Sequence, residues 1–329
     1  MFTIVAAATL LWTSVDVGLA NKPKFFPDDP IARDPETQDA SAVRRSEISE
    51  LFDFAENSFL GAGEKVDKRA ENVNTIDEVP DSSWFTNRLG REAWAVDRLT
   101  RGPDTGSGPA GRWTILSGKM EGRAVGFTIR DEAGSTYFIK FDPPSNPEMA
   151  SGAELISTKF LHAFGYNVPE NYLAQVTRDR IVIGEAAMID DDNGRRRTMD
   201  ARDLDALLKR AAQHPDGSYR TLASKAIEGK PLGPFRYYGT RPDDPNDIFP
   251  HGHRRELRGL LAFSAWLNHD DSRSINSLDT LVRSGGRSIV KHHLLDFGST
   301  LGSGTVRAQS TRAGNEFLWD SRPTLITML

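Results

Sequence analysis

The chain has 329 residues, 38% of them hydrophobic, enough for one large core or two modest ones. A formal net charge of -5 and a pI near 5.9 leave no basic footprint for nucleic acid. The absence of cysteine excludes disulfides, thiolate metal sites and a cysteine nucleophile.

Residues 1–20 read as a secretory signal peptide. Met1–Trp12 is apolar or small, and Gly18-Leu-Ala20 places small residues before a cleavage point. Export to the periplasm or the exterior is the expectation. No Lys or Arg leads the run and Asp16 lies near its end, so a buried first helix of a cytoplasmic protein is the alternative. The run is too short to span a bilayer permanently.

Residues 21–111 read as an irregular N-terminal extension wrapping the core. Phe26-Pro-Asp-Asp-Pro30 is extended, and Ile48, Leu51, Phe52, Ala55 and Phe59 share one face of a helix expected over Ser46–Phe59. Trp84, Phe85 and Trp94 stand among polar residues, and Gly102–Gly111 is the loop that ends the extension.

A block with strand rhythm follows: Trp113–Ser117, Val125–Arg130 and Ser135–Phe141, with Gly118, Gly122 and Gly126 in the first connection. Lys140 ends an apolar and aromatic strand, where an ammonium needs a charged partner. Glu154 offers one from a helix expected over Met149–Phe164 and stopped by Gly165. Tyr172–Gln175 and Ile181–Met188 are expected to pair through a turn at Thr177-Arg-Asp179. A helix over Ala201–Ala212 and a strand over Tyr219–Ile227 come next.

Residues 228–250 form a long Gly/Pro/Asp loop, suited to substrate or cation contact or to a structural Ω-loop. His251 and His253 precede a strongly periodic helix over His253–Leu267, which ends at Asn268-His-Asp-Asp271. Asn276 lies five residues after Asp271. The hairpin Ser277–Val282, Ser284-Gly-Gly286, Ser288–Leu295 then delivers Asp296 in Asp-Phe-Gly298. An acid, an amide oxygen and a second acid in this order suit phosphoryl transfer. Asp271 can orient a hydroxyl, while Asn276 and Asp296 offer hard oxygen ligands to Mg²⁺ on a nucleoside triphosphate.

The order Asp-x-x-x-x-Asn then Asp-Phe-Gly, with Lys140 and Glu154 upstream, resembles the kinase-like superfamily over residues 112–305. The chain lacks His-Arg-Asp, Ala-Pro-Glu and Gly-x-Gly-x-x-Gly, so it is more similar to the atypical branch: HipA-type, phosphoinositide, CotH-type spore-coat and secretory-pathway kinases. The resemblance implies an α+β, two-lobed fold. A β-rich N-lobe would occupy 112–190, and a mostly helical C-lobe, short after Asp296, would occupy 191–329. It implies ATP and Mg²⁺ as cofactors. Lys140, held by Glu154, would contact the α/β-phosphates, and Gly118 and Gly122 would lie over the triphosphate. Glu185–Ile189 would meet the adenine through backbone groups, with Glu185 and Ala187 as the candidates. Asp271, preferred to Asp270 by its spacing to Asn276, would act as base, with Asn276 and Asp296 as metal ligands.

The expected function is ATP- and Mg²⁺-dependent phosphoryl transfer to a hydroxyl acceptor on a protein, lipid or small molecule. Two alternatives stand beside it. One is a catalytically weak or inactive kinase-like binding or scaffold protein, in the cell envelope if exported. The other is a metal-dependent hydrolase built from Asp270, Asp271, Asp296, His269, His292 and His293.

Overall fold

The computed structural model describes residues 36–49, 52, 68–74, 76–119, 125–190 and 195–309. The expected signal peptide, most of the helix expected over Ser46–Phe59, and Gly122 lie outside the described residues. The fold is mixed α+β. A seven-stranded sheet has the order β4-β7-β3-β2-β1-β5-β6, and a three-stranded sheet has the order β10-β9-β8. The strands are β1 (Trp113–Lys119), β2 (Val125–Arg130), β3 (Thr136–Phe141), β4 (Asn171–Val176), β5 (Ile181–Asp190), β6 (Arg196–Thr198), β7 (Tyr219–Lys225), β8 (Lys230–Gly233), β9 (Ser277–Ser284) and β10 (Arg287–Leu294). Four helices are described: α1 (Val96–Arg101), α2 (Met149–Phe164), α3 (Ala201–Leu208) and α4 (Arg255–Leu267).

Alternation along β3 sets the two faces of the large sheet. Tyr137, Ile139 and Phe141 are buried in one core with Val125, Phe127 and Ile129 of β2. α3 covers that face with Leu204, Leu207 and Leu208, its start fixed by the Asp200–Asp203 capping box. Lys140 therefore points to the opposite face, where α2 lies. Opposite Lys140 on β2 stands Gly126, where a Cβ would come within 2.1 Å of Ile139 O.

α2 ends at Gly165 (φ 117°), where a Cβ would strike the Phe85 ring, so only glycine lets the extension pack there. A second core joins α2 to α4 and β10 through Leu161, Leu257, Leu260, Leu267, Leu294 and Phe297. Residues 36–46 lie against the small sheet, burying Ala40 and Val43 on Leu232 and Val290.

Three expectations change. β5 does not pair with β4. The Arg178–Arg180 turn carries the chain across the sheet, and β5 runs parallel to β1, burying Ile181, Ala187 and Ile189 beside Trp113 and Ile115. β4 pairs with β7 instead. The helix expected from His253 starts at Arg255, because Arg254 is extended after a short 3₁₀ turn. The chain beyond residue 190 is also not mostly helical among the described residues, where β6 to β10 outnumber α3 and α4.

Candidate functional site

Lys140 is the meeting point. Its Nζ donates to Glu154 Oε2 at 2.9 Å, to Glu154 Oε1 at 3.1 Å and to Asp296 Oδ1 at 2.9 Å. Glu154, on the inner side of α2, is only 4% exposed at its side chain, whereas Lys140 is 30% and Asp296 45% exposed. The ion cluster is thus sealed on the helix side and open to water on the Asp296 side. Burial disfavours the charge on Lys140, but the Asp296 and Glu154 carboxylates outweigh it and raise its pKa above the ordinary lysine value. Burial lifts Glu154 to about 7, against the pull of Lys140 and with the help of the Asp296 charge.

Asp296 lies two residues past the end of β10 and has φ 59°, the left-handed region that few residues other than glycine adopt. Such backbone persists only where its surroundings over-determine it, and here they do. Phe297 is 1% exposed in the second core. Thr300 Oγ1 donates to Phe297 O at 2.8 Å and meets Ser157 Oγ of α2 at 2.7 Å. Gly298 lies so close that a Cβ would stand 3.5 Å from Glu154 Oε2.

The loop after α4 supplies the other oxygens. Asn276 Nδ2 donates to Asp271 O at 2.7 Å, which fixes the amide and leaves Oδ1 as its acceptor end. Leu295 N donates to Asn276 O at 2.9 Å, so Asn276 and Asp296 hang from neighbouring backbone. Arg273 Nε donates to Asp271 Oδ1. Burial lowers the Arg273 pKa, and the Asp296 charge opposes that shift.

His269 props this loop from below. Its Nδ1 meets Ser272 Oγ at 2.9 Å, and its ring stands edge-on to Phe297 with centroids 5.9 Å apart. Burial pulls its pKa down to about 4, so the ring is neutral at pH 7. The sequence offered His269 only as a metal ligand; its place two residues before Asp271 was the available signal.

Other proposed site residues lie elsewhere. Gly118 faces the apolar core, where a Cβ would come within 2.9 Å of Ile189 Cδ1, so its glycine is explained by packing on the face opposite Lys140. Glu185 and Ala187 sit on β5, separated from β3 by β1 and β2, and Ala187 O accepts from Met199 N at 2.9 Å. The structure does not bring them to Lys140. Next to β3 runs β7, and it is the chain after β7, residues 226–229, that passes to the small sheet.

His292 and His293 do not converge on the carboxylates. His292 is tied to Asp279 at 2.6 Å and His293 Nε2 to Thr280 Oγ1 at 3.1 Å. Among the described residues no group of three or more His, Asp or Glu is arranged to hold a metal. A magnesium ion carried on a polyphosphate asks less of the protein, typically one or two carboxylates with phosphate and water completing the shell. The exposed Asp296 carboxylate and the acceptor end of Asn276 fit that donor set. In sequence, the chain matches no family model and is similar to no curated protein at a significant level.

Proposed function

We propose that the protein transfers a phosphoryl group from ATP to a hydroxyl acceptor, using a two-lobed, kinase-like arrangement. The seven-stranded sheet and α2 form one side of the cleft, and the α4 loop with β10 forms the other. The observation that carries this reading is the Lys140 ammonium held by Glu154 of α2 and Asp296 of the Asp-Phe-Gly turn, each at 2.9 Å.

In this reading Lys140 binds phosphate oxygens and Glu154 keeps the ammonium aimed into the cleft. With two carboxylates around one ammonium the cluster favours an added cation, and Asp296 with Asn276 Oδ1 would hold Mg²⁺. The metal supplies neutralisation of charge on the polyphosphate. Asp271, fixed by Arg273, would accept the acceptor hydroxyl in hydrogen bond and align its oxygen for in-line attack. As the hydroxyl oxygen bonds to the γ-phosphorus, its proton passes to Asp271 and the β–γ bridging oxygen leaves with ADP. The backbone of residues 226–229, at the exit of β7, is the better candidate for the base edge than Glu185 or Ala187.

The reading is tested by incubating the protein with Mg²⁺ and ATP labelled on the γ-phosphate, with hydroxyl-bearing proteins, lipids and sugars as acceptors. Label should move to one acceptor class with wild type and not with Asp271→Asn. Release of label as free phosphate alone would contradict transfer.

A further inference from the structure

Away from Lys140, a buried polar cluster lies where the extension meets β9 and β10. Trp84 lies flat on His292, with centroids 3.5 Å apart and 14° between planes. His292 Nδ1 meets Asp279 Oδ1 at 2.6 Å across the β9–β10 pair, and Asp279 Oδ2 accepts from Arg241 Nη1 at 2.8 Å. The Arg254 guanidinium also lies over the Trp84 ring, 4.5 Å from its centroid. Asp279 is 0%, His292 3% and Trp84 4% exposed, so these groups bind nothing from solvent.

β10 is an edge strand of the small sheet, and the extension covers its open edge together with Asn167, which accepts from Leu294 N at 2.9 Å and donates to His292 O at 2.9 Å and Ser83 O at 2.8 Å. Ala40 N donates to Ser288 O at 2.9 Å, and His292 N donates to Ser83 O at 3.2 Å. Four residues after His292 comes Asp296, and between them Leu295 N is bonded to Asn276 O. We propose that Trp84 of the extension is a positioning residue: its stack on His292 sets the end of β10, and through it the spacing of Asp296 and Asn276. Trp84 shares its core with Leu161 of α2 as well as with Leu294 and Phe297, whereas Lys140 stands on β3, outside that core. The extension is then a working part of the metal-holding half of the site rather than a cover.

The metal role of Asp296 and Asn276 rests on the proposed function; the mechanical link does not, and the test separates them. In the full chain, Trp84→Leu keeps apolar bulk and loses the stack, while Trp84→Phe keeps a stacking ring. Amide exchange by mass spectrometry should quicken at residues 292–298 in Trp84→Leu by about tenfold or more. Segment 136–141 should exchange as in wild type. Affinity for MgATP should fall by about tenfold, as expected when support of a metal ligand is lost. Affinity for ATP in EDTA should stay within about twofold, and Trp84→Phe should restore both readouts. Quickened exchange confined to residues 81–85 would overturn the proposal, as would an equal loss of MgATP and metal-free ATP binding. If wild type binds no MgATP, the proposed function fails and the exchange readout alone decides the link. If Trp84→Leu does not fold, wild type decides it: residues 81–85 and 292–298 should open together under mild denaturant, and independent opening would overturn the link.

Discussion

Lys140 and Asp296 meet at 2.9 Å although 156 residues separate them. No local rule of strand or turn brings them together. The contact exists because β3 of the large sheet and the end of β10 are both packed against α2, one through Glu154 and the other through Ser157 and Thr300.

The first prediction concerns what happens when the ammonium is removed. Lys140→Met leaves Glu154 as a buried carboxylate without its cation. Asp296 is open enough to be rehydrated, so the cost falls on Glu154 and should be about 3 kcal/mol. Urea denaturation at pH 8 would measure it. A loss below about 1 kcal/mol would show that the pair behaves as a surface salt bridge.

Glu154 also sets a pH dependence of unusual sign. Its folded pKa is raised from 4.5 to about 7, so the folded state binds the extra proton in that window. Its contribution to stability is complete below pH 4.5 and is lost as pH rises through 7. The denaturation midpoint of wild type, measured against Glu154→Gln, should therefore fall as pH goes from 4.5 to 7. A constant difference, or one that grows with pH, contradicts the assignment.

The histidines act in the opposite direction. His269 and His162 are pulled from 6.5 to about 4 by burial, and His293 to about 3. The unfolded chain binds more protons than the folded one below pH 6.5, so stability is lost as pH falls from there through 4. His269 alone accounts for roughly 3 kcal/mol of this loss. His269→Asn should flatten the acid limb by about that amount, as read from denaturation midpoints between pH 4 and 7; an unchanged limb would mean that the ring protonates while folded.

For Asp271, substitution by Asn keeps an oxygen for Arg273 and removes the proton acceptor. Turnover should drop by roughly 10² to 10⁴-fold while nucleotide affinity stays within about twofold. Steady-state kinetics with direct binding separates the two; a loss of binding equal to the loss of turnover would make Asp271 a binding group only.

Much of this was legible in the sequence where period and order carry the information. Lys140 stood out because an ammonium ending the apolar and aromatic strand Thr136–Phe141 needs a charged partner, and the helix bearing Glu154 was marked by its apolar spacing and Gly165. The β9–β10 hairpin was marked by its Gly-Gly turn. The pairing of β5 was not legible, because the turn at Arg178 is local while the partner of Ile181 and Ile189 is chosen by Trp113 and Ile115 from afar. The packing reason for Gly118 was not legible, because the Ile189 side chain its missing Cβ makes room for comes from β5, far along the chain. Residues 228–250 read as a long Gly/Pro/Asp loop, yet Arg241 and Asp247 within it, and His251 and Arg254 just beyond it, are nearly sealed from water. Their partners come from the extension, the small sheet and one another, so charge alone gave no sign of burial.

The most direct test is calorimetric titration of wild type and Asp296→Ala with ATP, once with Mg²⁺ and once in EDTA. Wild type should bind at least about tenfold more tightly with Mg²⁺, and Asp296→Ala should lose that gain while keeping metal-free binding through Lys140. No binding by wild type, or a magnesium gain that survives Asp296→Ala, would contradict a shared metal–nucleotide site at Lys140, Asn276 and Asp296.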